Sequence, residues 1–184
     1  MIENIINKIN ANIVLRSGEL CNIGNPVMLG LAEPVIVKSE DDDNDMSFPA
    51  IIDDEGECRY VFADDDYPFG VYHRLINRVY SVKKGYGDKD LDVRTDEIIL
   101  VCWGFRNLLK MDSVSFESQI IVPALPKEGL LVQSNFDKLS VFNNEFKNVD
   151  YYLIPELFLF SVKYKVQYTF DRECVEISEE NKCQ

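Results

Sequence analysis

From Phe158 to Phe170 every second residue is apolar: Phe158, Phe160, Val162, Tyr164, Val166, Tyr168 and Phe170. After Leu159 the positions between them are polar, namely Ser161, Lys163, Lys165, Gln167 and Thr169. A period of two predicts a single amphipathic β-strand with its even-numbered face inward. At about 3.3 Å per residue it spans roughly 40 Å, about twice a common strand. The expectation is that the protein's own core covers its middle and that a neighbouring subunit completes the burial at its ends.

Ile2, Ile5, Ile6, Ile9 and Ile13 recur at helical spacing and predict an amphipathic helix over residues 2–15, stopped by Ser17-Gly18. Gly24, Pro26, Gly30 and Pro34 mark the next segment as loop, until a short strand at Pro34–Lys38. Phe48–Ile52 and Cys58–Phe62 flank Asp53-Asp54-Glu55-Gly56 as a hairpin. Residues 71–84 fit either period. Their Tyr and Val content, with Pro68 and Gly70 before them and Gly85-Tyr86-Gly87-Asp88 after, favours a strand. Its partner, Glu97–Trp103, is too continuously apolar to expose a face, so it is expected at the centre of a sheet. Asp112 or Ser113 caps a short second helix through Val114, Phe116, Ile120 and Ile121, stopped by Pro123 and Pro126. Leu130–Gln133 suits a strand, and residues 135–149 read as an irregular excursion.

These elements describe one α+β domain over residues 1–177, a mostly antiparallel β-sheet with the N-terminal helix and the second short helix packed on it. An acidic loop, residues 40–47, interrupts it, and a polar tail, residues 178–184, follows it. No apolar run reaches the roughly 18 residues that cross a bilayer, and the N-terminus lacks a signal-peptide pattern, which predicts synthesis in the cytoplasm. Cys21, Cys58, Cys102, Cys174 and Cys183 are odd in number and scattered, so reduced thiols are expected rather than disulfides or a zinc site.

The formal net charge of −13 disfavours tight nucleic-acid binding, which depends on Lys and Arg at phosphates. Asp41, Asp43 and Asp45 match the first three alternate ligands of an EF-hand loop, but Met46 stands where Gly is required and Ile52 where Glu is required. Asp53-Asp54-Glu55 and Asp64-Asp65-Asp66 fall at a turn and a strand end, where carboxylates are ordinary. His73, the only histidine, has no nameable catalytic partners and is expected to be structural, as is Trp103. Gly85-Tyr86-Gly87 lacks the spacing of a dinucleotide fingerprint. No cofactor, metal or catalytic residue is therefore expected.

If residues 71–84 form a regular strand, Arg74 and Arg78 share a face, with Lys83 and Lys84 close by. Such a basic strip could receive an acidic loop of a neighbouring copy, Asp41, Asp43 and Asp45 or Asp64, Asp65 and Asp66, in a contact that closes into a ring. An intramolecular or solvated strip is the plainer alternative.

The order of elements resembles a family. The Ile-rich helix, the strand pair between Tyr72 and Trp103, the helix near Phe116–Val122 and the strand ending in Asp171-Arg172-Glu173-Cys174 look like the small neck and tail-completion ring proteins of tailed bacteriophages, particularly crAss-like phages of Bacteroidota. The resemblance lies in layout rather than in a diagnostic motif. It implies a non-enzymatic virion subunit in a homo-oligomeric ring of about six or twelve copies between portal and tail, with DNA as passing cargo and no membrane contact. A different class, an acidic immunity-type inhibitor that neutralises a basic partner, also fits the charge.

Overall fold

The structure, a computed structural model, describes residues 2–21, 26–38, 45–52, 57–61, 66–84, 90–126, 129–149 and 154–171. Helix α1 (Ile2–Cys21) turns Ile2, Ile6, Ile9 and Ile13 inward, the stripe that the spacing predicts. It does not stop at Ser17-Gly18. Ser17 is buried and its Oγ donates to the Val14 carbonyl at 3.0 Å, and one Gly costs only about 1 kcal/mol in a helix, too little to end one.

A five-stranded sheet forms the centre, in the order β1 (Val27–Leu31), β5 (Phe69–Lys84), β6 (Asp90–Phe105), β8 (Leu157–Asp171), β7 (Gly129–Asn135). All pairings are antiparallel except β1 with β5. With its helices, this makes the chain an α+β protein. β6 is central, as its apolar run predicts. β1 was expected to be loop. It pairs with only a few residues of β5, and Gly30 and the flanking prolines hide it from a propensity reading. β2 (Glu33–Val37), β3 (Met46–Ile52) and β4 (Cys58–Tyr60) make a second, three-stranded antiparallel sheet, which contains the expected hairpin.

Side-chain alternation splits the core into two clusters, one on each face of the large sheet. One face carries Ile98, Leu100 and Cys102 of β6 and the even-numbered residues of β8. It packs under α1 and a helical run made of α3 (Ser113–Phe116), a π-helical stretch (Glu117–Ile121) and α4 (Val122–Ala124). The other face carries Val101, Trp103 and Phe105, and packs against Val141 and Phe142 of α5 (Lys138–Glu145) with Phe48 and Ile51 of the small sheet. A four-residue turn of helix, α2 (Arg106–Leu109), leaves the end of β6.

Two expectations near these helices are corrected. Pro123 does not stop the second helix, which runs on to Ala124; Pro123 has no N–H, and its ring would crowd the carbonyl four residues back. The preceding residues widen instead, with Val122 N–H bonding to the Glu117 carbonyl five residues back. Residues 135–149 are not irregular, since they contain α5, capped by Asp137, whose carboxylate accepts from the Leu139 and Ser140 amides at 3.2 and 3.3 Å.

Candidate assembly surface

β5 and β6 pair from Phe69↔Gly104 to Lys84↔Asp90, and β6 and β8 from Leu91↔Asp171 to Phe105↔Leu157. The three strands have 16, 16 and 15 residues, so they form a ribbon roughly 50 Å long. Its burial is uneven. On β8 the even-numbered side chains from Phe158 to Tyr168 are buried, so burial along this stretch is completed within the chain. Phe170 lies beyond the residues whose side chains are described. The excess length sits on β5 instead, where Phe69–His73 are buried and every position from Ile76 to Lys84 is exposed. Among these are Val79, Tyr80 and Val82.

A β-bulge divides β5 between these halves, since Leu75 faces Ile98 while Asn77 faces Glu97. One extra residue inverts the alternation beyond it. Arg74, opposite Ile99, therefore lies on the α5 face, and Arg78, opposite Asp96, lies on the α1 face. The expected shared basic face is thus corrected, because the regular alternation on which it rested breaks at Ile76.

Both arginines have partners within the chain. Arg74 meets Glu145 of α5 at 2.9 Å, and Tyr72 donates its hydroxyl to the same carboxylate at 3.2 Å. Burial pushes the Glu145 carboxyl above its ordinary range, opposed by Arg74. Arg78 Nε donates to Asp96 Oδ1 at 2.8 Å, and Arg94 grips the same carboxylate through Nε and a terminal nitrogen, the latter at 2.6 Å. Burial alone would raise the Asp96 carboxyl; the hydrogen bonds from Arg94 and Arg78 outweigh it and hold the group below its ordinary range. Arg94 also stacks over the Tyr168 ring at 5.6 Å. Lys84 pairs with Asp90 at 3.2 Å in an exposed contact worth little, and Lys83 donates to Gln167 at 3.3 Å.

Of the acidic candidates, Asp45 and Asp66 are exposed, and the Asp45 carbonyl accepts from Asn148 Nδ2 at 2.8 Å. Asp41, Asp43, Asp64 and Asp65 lie outside the described residues.

His73 is fully buried on the α1 face, whereas Glu97 lies on the opposite face, where Lys163 pairs with it at 2.7 Å. Asn10 donates its amide to the Leu29 carbonyl and presents Oδ1 to His73 Nε2 at 2.9 Å. Nε2 therefore carries the proton, and Nδ1 accepts from the Tyr164 hydroxyl at 3.1 Å. His73 ties α1, β5 and β8 together. An open surface concavity of about 470 Å³ is lined by Arg106, Lys110, Met111, Asp112, Ser115 and Gln119. Its only carboxylate, Asp112, is engaged in capping α3 through the Val114 and Ser115 amides. Among the described residues no group of three His, Cys, Asp or Glu side chains could hold a metal ion, and no helix is long and apolar enough to cross a membrane.

The surface that sequence reasoning missed is the edge of β7, where Leu130, Leu131 and Val132 are all exposed. An unbroken apolar triplet beside a Gly was the available signal. In comparisons with known proteins, no protein-family model matches the chain and no curated protein matches it.

Proposed function

We propose that this chain is a non-enzymatic assembly subunit, a ring-forming component of the neck or tail-completion structure of a tailed phage, as the resemblance in element order implies. The observation that supports assembly is the arm of β5, Ile76–Lys84. It keeps its pairing with β6 while exposing every side chain, Val79, Tyr80 and Val82 included. A fold that needed β5 only for its own core could end the strand near Leu75. Extended structure carried beyond the core, with apolar side chains left outside, suits contact with another subunit. The charge of −13 suits a conduit through which DNA passes without sticking.

Native mass spectrometry and negative-stain electron microscopy of the purified chain, alone and with portal and neck partners, test this reading. Closed rings are the expected result. A monomer under all these conditions that binds a basic toxin tightly overturns it in favour of the acidic inhibitor, which rests on net charge alone. The acidic clusters belong to the same proposal. Replacing Asp41, Asp43 and Asp45, or Asp64, Asp65 and Asp66, by Asn is expected to weaken ring assembly or infectivity. Unchanged assembly and infectivity in both variants remove those loops from the interface.

A further inference from the structure

We infer that copies join by sheet pairing, with the outer edge of β7 in one copy laid against the β5 arm of the next. The inference rests on the assembly reading above. β1 pairs with β5 only as far as Leu31↔His73, and among the described residues no strand pairs with the outer edge of β5 beyond that point. Its outward main-chain groups are therefore open to another strand, apart from the Arg78 N–H, which donates to Asn77 Oδ1 at 2.9 Å. β7 is the opposite edge of the same sheet. Its sequence, Gly129-Leu130-Leu131-Val132-Gln133-Ser134-Asn135, holds no charge and no proline, so the common devices that blunt an edge are missing apart from the irregularity at Val132.

Charge and length select the pairing of unlike edges. β5 holds no acidic residue; Arg74 lies outside the arm and Arg78 is ion-paired with Asp96, so Lys83, bound to the neutral Gln167, and the exposed Lys84 carry the arm's positive charge in a chain of net charge −13. Laying β5 against β5 would bring like charges together, while laying it against the uncharged β7 of an otherwise acidic copy would not. Laying β7 against β7 would leave the longer β5 edge unpaired. Seven residues of β7 span roughly 23 Å and the arm roughly 30 Å, so β7 fits along it. Pairing opposite edges is heterologous, so it repeats from copy to copy and closes only as a ring.

The test combines amide hydrogen exchange on the assembled full chain with two exposed-residue variants, Leu130→Glu and Val79→Glu, the latter opposite the neutral Thr95. Each variant should keep the wild-type melting temperature and raise the concentration needed for assembly by at least about tenfold. In assembled wild type, the outward-facing amides of both Ile76–Lys84 and Gly129–Asn135 should slow relative to dilute monomer. Rings in which neither segment slows, or in which β7 slows alone, overturn the pairing and leave the assembly reading standing. A wild-type chain that never assembles, alone or with neck partners, overturns the assembly reading and the pairing with it.

Discussion

Acidification should destabilise the protein through His73, in an amount that the structure sets. The imidazole is fully buried, with Nε2 donating to Asn10 and Nδ1 accepting from Tyr164, so a second proton would place a charge away from water and force the Tyr164 hydroxyl to turn from donor to acceptor. Burial lowers its pKa from 6.5 to about 3. The unfolded chain therefore binds a proton near pH 6.5 that the folded chain refuses until about pH 3, and stability falls as pH drops through that window. With 1.36 kcal/mol per pKa unit, the loss is about 2 kcal/mol by pH 5 and about 5 kcal/mol at the acid limit. Urea unfolding of wild type and His73→Gln at pH 7.5 and pH 5 measures it. Glutamine keeps a donor and an acceptor but does not titrate, so the difference between the two proteins isolates the imidazole from the carboxylates. Wild type should lose about 2 kcal/mol more than the variant between the two pH values. Equal losses in the two proteins would refute the assignment of a neutral, buried His73.

Gly70→Ala should be among the most damaging small substitutions, because its Cβ would fall 2.2 Å from Trp103 Cζ2 on the paired strand; a loss of about 3 kcal/mol with altered Trp fluorescence is expected in thermal melts. Asp96→Asn should cost about 2 kcal/mol at pH 7, less than a fully buried broken pair because Arg78 and Arg94 keep some access to water. Since the Asp96 pKa is depressed on folding, this contribution is present above the unfolded carboxylate value and lost as pH falls through the folded one, so wild type and variant should converge once pH drops below the ordinary carboxylate range in urea titrations. Asp137→Ala removes the cap of α5 and should lower stability by about 1 kcal/mol, read as a shift in urea midpoint with unchanged slope.

The parts of the fold legible in the sequence are those where one periodicity runs unbroken. Phe158–Phe170 and the Ile stripe of α1 are of this kind, and so is the apolar run of β6. What stayed hidden depends on tertiary context. The apolar residues of α5 follow no clean stripe; Asp137 three residues before Ser140 was its one local signal, and only the packing of Val141 and Phe142 on the sheet makes it a helix. The placement of Arg74 and Arg78 failed for a different reason. A bulge is a main-chain event, and its trace in the sequence is only the adjacent apolar pair Leu75-Ile76. Excess strand length was legible, but its assignment to β8 was not, because helices that bury one face of β8 cannot be placed from alternation alone.

The bulge also acts as a phase shifter. Upstream of it, even-numbered residues of β5 look toward α5; downstream they look toward α1, and Arg78 reaches Asp96 only because of that shift. Deleting Ile76 would remove the extra residue and restore strict alternation while leaving Asn77 opposite Glu97 and Arg78 opposite Asp96, whereas flattening the strand with Ile76 still in place would set Asn77 opposite Asp96 and leave Asp96 with Arg94 alone. An insertion or deletion elsewhere in the arm would shift only the residues beyond it. Length variation among sequences related to this one is therefore expected near the tip of the hairpin, and between Arg74 and Arg78 only as loss of the bulge residue.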